Sequence, residues 1–213
     1  MTLDPDTVSP WLTLSAEGKR VRRGETRQEL PDTPERFDDW LCVLGRESFT
    51  SGRCYWQVQV GRNTLWRLGV SRESAKRNGE FSMTPQQGYW TVWWNVYRDE
   101  FIALTEHRTP LPRSLKPQKL GVYLDYEEGR LSFYNVETRS HIYTFTDMEF
   151  KPNEKLYPLF CTWDSVFGLQ ILFTRRSRKS LRQGFLSHFQ FVLFFSPLQD
   201  HVSHGSLRSL RFP

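Results

Sequence analysis

The stretch LGVYLDYEEGRLSFYN, residues 120–135, decides the fold. Apolar residues alternate twice in it: Val122 and Leu124 ahead of a polar tip, Leu131 and Phe133 behind it. A period of two marks a half-buried strand, because successive side chains leave opposite faces of the pleat. The tip, Tyr126-Glu127-Glu128-Gly129, ends in a glycine, which takes up the left-handed conformation of short hairpin loops without a Cβ clash. Two strands joined in this way form an antiparallel hairpin with one face in a core.

The same rhythm continues on both sides. Trp11, Leu12 and Leu14 begin a short strand, Ala16-Glu17-Gly18 a turn, and Lys19–Arg22 a second strand. Gln28–Phe37 holds two prolines and no period, and reads as an ordered loop. Arg53–Gly61 alternates Tyr55, Gln57 and Gln59 against Trp56, Val58 and Val60. Leu65–Val70 follows after a turn at Gly61–Asn63, so the two are expected to pair as a second hairpin. Ser71–Phe81 reads as a charged loop, while Gly88–Trp94 and Phe101–Leu104 return to strand character. Three prolines make 109–117 a connector. His141–Phe145, Leu156–Phe160 and a closing strand within Trp163–Phe173 complete the series. Ten to twelve short strands with no amphipathic helix before residue 174 predict an all-β chain, an antiparallel β-sandwich of two sheets.

Composition narrows the function classes. The net charge of +5 is unevenly spread: residues 174–213 carry seven Lys/Arg and one Asp, which leaves 22 basic and 23 acidic residues in 1–173. The body of the chain is therefore balanced, which argues against nucleic acid as a partner. Cys42, Cys54 and Cys161 are an odd, widely spaced set with no secretory leader, so reduced thiols in a cytoplasmic setting are expected. No run reaches the roughly 18 apolar residues of a membrane span. The tail, 174–213, joins a basic run (Arg175–Arg182) to an apolar burst (Phe189–Leu198). It reads as a poorly ordered extension or, alternatively, as a membrane-surface anchor.

Three segments carry a family resemblance. LDYEEGRLSFYN resembles the central signature of PRY-SPRY domains, the recognition modules of butyrophilins and tripartite-motif proteins. Residues 2–22 are similar to the opening PRY subdomain, and ELPDTPERFDDWLCVLG followed by ESFTSGRCYWQVQVG is butyrophilin-like. The resemblance divides the chain into a PRY subdomain with its connector (1–52), a SPRY subdomain in the same sandwich (53–173) and a tail outside the family (174–213). It implies the intracellular domain of a butyrophilin-like immune regulator, whose parent sits in the plasma membrane through upstream segments. The alternative it implies is the substrate-recruiting end of a tripartite-motif ubiquitin ligase.

Catalytic and metal constellations do not assemble in the sequence. The five histidines are scattered, no G-x-S-x-G elbow is present, and Gly45–Gly52 has no lysine after its second glycine. A non-catalytic domain with no metal and no cofactor is expected. Binding has more support. Trp90, Val92 and Trp94 share one strand face and Trp93 the other, and only one face faces the core. At least one tryptophan is thus expected near the surface beside Tyr97 and Arg98, the side-chain chemistry of an interface hot spot. The resemblance to tripartite-motif relatives implicates Glu73, Trp93, Trp94, Tyr97 and Arg98 in protein binding, with Trp163 and Asp164 as further candidates. Some butyrophilin relatives instead hold a small phosphorylated ligand in a basic pocket. Here Arg53, Arg67, Arg72, Lys76 and Arg77 are the candidate phosphate contacts, although Cys54 and Thr64 stand where such a pocket favours His and a cation.

Overall fold

The computed structural model describes residues 1–177 and arranges them in two antiparallel sheets. The expected disorder or membrane anchoring of the tail lies outside the described residues, apart from its first four positions. The first sheet has seven strands in the order β1 (Leu12–Leu14), β2 (Arg20–Arg23), β13 (Leu169–Ser177), β4 (Arg53–Gln59), β9 (Lys119–Asp125), β10 (Arg130–Asn135) and β11 (Ser140–Phe145). The second has six: β3 (Cys42–Leu44), β12 (Leu156–Thr162), β5 (Leu65–Arg72), β6 (Tyr89–Asn95), β7 (Glu100–Ala103) and β8 (Thr109–Pro110). Two single turns of 3-10 helix, Pro85–Gln87 and Arg113–Leu115, are the helical elements among the described residues.

The hairpin of residues 120–135 forms as its alternation requires. Leu131 pairs with Leu124 and Phe133 with Val122, and all four are fully buried. Each such burial is worth about 1.5–3 kcal/mol. Gly129 has φ 55°, which the closing turn demands. The shared core draws Trp56 and Val58 from the first sheet and Trp66, Leu68, Trp90, Val92 and Trp94 from the second.

Three expectations need correction. First, β4 and β5 do not pair with each other. β4 lies between β13 and β9, β5 between β12 and β6, and residues 60–64 form a corner between the sheets. Both strands are buried on two faces, so each has two partners from distant sequence, and adjacency in the chain does not decide pairing. Second, the closing strand runs to Ser177, so 174–177 belong to the sheet and not to a tail. Third, Cys42 and Cys161 form a disulfide, not a pair of thiols. They are register partners on β3 and β12 with Cα atoms 4.0 Å apart. Their sequence separation of 119 concealed that proximity. Cys54 remains a thiol; burial pushes its pKa up to about 12, which leaves it protonated.

The second sheet is buried on its far side as well. A separate apolar cluster there joins Cys42, Leu44, Tyr89, Trp93, Leu159 and Cys161 to Phe37, Ala75 and Met83 from the loops before β3 and after β5. Gly69 lies under this layer, and any Cβ there would collide with the Trp90 carbonyl oxygen across the β5–β6 ladder.

Candidate functional site

Three loops meet at the end of the sandwich where β5 begins and β6 ends: 61–64, 96–99 and 163–168. Asp164 ties two of them together. One carboxylate oxygen accepts the backbone N–H groups of Val166 (2.9 Å) and Phe167 (2.8 Å). The other accepts the Thr64 N–H (3.0 Å) and hydroxyl (2.9 Å). Burial alone pushes the Asp164 carboxyl up, but the N–H groups of Phe167, Thr64 and Val166 and the Thr64 hydroxyl outweigh it and hold the group below its ordinary value. Asn63 adds a second tie, with its amide donating to the Thr162 hydroxyl (2.8 Å) and the Phe167 carbonyl. The Val96 N–H bonds Thr64 O at 2.9 Å, which joins the third loop to the other two.

These ties hold apolar side chains out in solvent. Tyr97 is 78% exposed and Val166 74%, with Val96 and Phe167 exposed beside them. The Asn95 side-chain oxygen accepts the N–H groups of Tyr97 (3.0 Å) and Arg98 (3.3 Å), which fixes the turn that presents both. Asp99 is paired with Arg113, whereas Arg98 makes no ion pair among the described residues. Trp94, expected near the surface, is 7% exposed in the shared core, its ring edge-on to Phe101 and capped by Lys116 5.1 Å from the centroid. It lies beneath this end of the sandwich and is not part of its exposed surface.

Trp93 is likewise buried, at 5%, because the loops before β3 and after β5 roof that face of the sheet. Under the roof, the Arg67 guanidinium sits 4.4 Å from the Trp40 ring, 5.0 Å from Trp93 and 5.6 Å from Trp163. Arg108 approaches Trp93 as well, at 5.1 Å. No carboxylate pairs with Arg67 among the described residues. Burial, with a further contribution from Arg108, lowers its pKa to about 10. Trp163 therefore faces this aromatic layer and not the exposed loop tips.

The other candidates are dispersed. Glu73 lies past the opposite end of β5, about 23 Å along the strand at ~3.3 Å per residue, and pairs with Lys155 at 2.8 Å. Arg53 binds Asp125 at 2.8 Å on the first sheet. Arg72 packs its stem against Gly88 and bonds Gln86 O, Lys76 bonds Glu80 O, and Arg77 bonds Glu35 O. These cations do not converge with Arg67 on one point; the structure brings Arg108 to it instead. Sequence reasoning missed Val166, Phe167, Trp40 and Arg108. For the first two a signal was available: an apolar pair between Ser165 and Gly168, in a turn setting where polar residues prevail. Among the described residues no group of three His, Cys, Asp or Glu side chains is placed to hold a metal.

Comparison with known proteins gives a consistent result. The pattern of the SPRY domain matches residues 53–175, and that of the SPRY-associated domain, PRY, matches residues 1–49. Butyrophilin subfamily 1 member A1 from Bos taurus is 50% identical over 163 residues, covering 76% of this chain and 30% of that protein. The protein of the same name from Homo sapiens is 50% identical over 165 residues, covering 78% and 31%. The chain thus spans about a third of the length of these relatives. Among solved structures, the PSpry domain of TRIM65 superposes with a TM-score of 0.67 at 25% identity, over 81% of this chain and 88% of that one.

Proposed function

Because the chain belongs to the SPRY domain family, with a PRY segment leading it, we propose that it is a non-catalytic recognition module that grips a protein partner through its strand-end loops. The observation that carries this reading is the pair of apolar tips, Val96-Tyr97 and Val166-Phe167, held in solvent by buried hydrogen-bonded ties. Rigid exposed aromatics beside an unpaired arginine lose little entropy on binding and bury a large area. Tyr97 and Arg98 make the contact; Asp164 positions it, and Trp94 and Trp163 support it from below. The 50% identity to butyrophilins favours a butyrophilin-like parent, placed at the plasma membrane with this domain inside the cell, over a tripartite-motif ligase. No described helix is long and apolar enough to cross a membrane.

The test is capture from immune or epithelial lysate by wild type and by Tyr97→Ala/Arg98→Ala. Partners held by wild type are expected to be lost from the variant at an unchanged melting temperature. Equal capture by both proteins refutes the site. Trp94→Ala is unsuitable as a probe, since emptying that core position destabilises the fold by about 3–5 kcal/mol.

One observation favours a second reading. Among the described residues the Arg67 guanidinium has no carboxylate partner, and it stands near Arg108, an arrangement that suits an anionic ligand such as a small phosphorylated molecule. Binding would raise the melting temperature by mass action, so no shift at millimolar pyrophosphate removes this reading.

A further inference from the structure

The docking end continues into a cleft on the outer side of the first sheet. Val166 belongs to both: its exposed side chain is one of the tips, and it also overhangs a depression of about 430 Å³ between β1, β2, β13 and β4. Two arginines of β2 line the same depression. β2 reads Arg20-Val21-Arg22-Arg23, and its alternation sends Val21 into the core and leaves Arg20 and Arg22 at the cleft, both exposed. Gln59 and Gln170 also line it, with the Gln59 amide donating to the Gln118 carbonyl at 3.1 Å. Neither Arg20 nor Arg22 makes an ion pair among the described residues; Arg22 donates only to the Ser165 carbonyl, at 3.3 Å. Asp164, on the loop that carries Val166, is already engaged by its four donors.

Geometry and charge therefore run together. The exposed Val166 tip adjoins a depression whose charged lining residues are both arginines. Exposed arginines without acidic partners favour an anionic ligand, and the fork of a guanidinium suits a carboxylate in particular. A depression bounded by strands admits an extended segment, while protruding tips alone would give it no register.

We propose that this end recognises an acidic, extended peptide segment of its partner, with an aliphatic or aromatic side chain over the Val166–Phe167 tip and carboxylates against Arg20 and Arg22. The proposal rests on the docking-end reading and adds the chemistry of what docks. Exposed ion pairs are screened by salt, so affinity falls as ionic strength rises.

The test uses the full 213-residue chain and a phage-displayed library of random dodecapeptides, with the winning sequence resynthesised carrying a fluorescein label. Selected peptides are expected to be rich in Asp and Glu around an apolar residue. Their Kd is expected to weaken at least ~10-fold on Arg20→Glu/Arg22→Glu and on Val166→Asp, at unchanged melting temperatures. Replacing the acids of the peptide by Gln or Lys must produce the same loss, an arm that leaves the protein untouched. Peptides without acidic enrichment, or indifferent to Arg20 and Arg22 yet sensitive to Tyr97→Asp, overturn the acidic segment and leave the docking end standing. Peptides indifferent to both overturn both. A library that yields no binder overturns the proposal, as does Val166-dependent binding to phosphatidylserine vesicles in place of peptide.

Discussion

Asp164 has two oxygens and four donors, and the consequence can be measured. Asp164→Asn keeps the shape but removes the charge and turns one acceptor into a donor facing N–H groups. Stability is expected to fall by about 2–3 kcal/mol, the range for hydrogen bonds to a buried charge, as read by urea denaturation. The pH dependence follows from the direction of the shift. A carboxyl held below its ordinary value in the folded state stabilises above that ordinary value, and the contribution is lost as pH falls through the folded value. Wild type should therefore lose stability on acidification below about pH 4 more steeply than Asp164→Asn; parallel curves would remove the assignment. The resemblance named Asp164 as a candidate for partner binding, but its tie to its own loops was not legible, because a carboxylate that binds a partner and one that binds its own loop look alike in one dimension. Trp93 and Trp94 were misjudged for a related reason. Alternation separates the two faces of a strand, yet it is silent on whether a loop will roof the outer one, as residues around Phe37 and Met83 do.

The β3–β12 pair sits at the edge of the second sheet and carries the Cys42–Cys161 bond. Closing so long a loop restricts the unfolded chain, a stabilisation of about 2–5 kcal/mol. Since the chain has three cysteines, thiol titration in denaturant without reductant should find one group, Cys54, and after reduction three. Three from the start would dispose of the bond. β3 itself escaped the sequence reading: Cys42-Val43-Leu44 is a short apolar run buried on both faces, with no alternation to mark it. The misassigned β4–β5 hairpin has a different origin: β4 alternates clearly, but it pairs with β13 and β9 and not with its neighbour in the chain. By contrast β9, β10 and β11 sit toward one edge of the first sheet, follow one another in order, and were read almost to the residue.

At the scale of the molecule, the first 52 residues are not a separate body. They give β1 and β2 to one sheet and β3 to the other, and Leu3, Val8, Leu12, Val21 and Val43 belong to the shared core. PRY and SPRY segments therefore fold as one unit. A fragment of residues 53–213 is expected to show no cooperative melt by near-UV circular dichroism, while the full chain melts with near- and far-UV signals coincident. A fragment melting as sharply and as high as the whole would contradict this.

The cation stacked under three indoles has an optical consequence. Trp11 is the exposed indole of the eight and Trp40 and Trp163 are half-buried, so these three should meet an aqueous quencher such as iodide, while the buried rings emit toward the blue. Trp40 and Trp163 lie against a guanidinium beneath the roofing loops. Any ligand that lifts those loops will wet both half-buried rings further and shift their emission to the red, so the domain reports occupancy of that face without a dye.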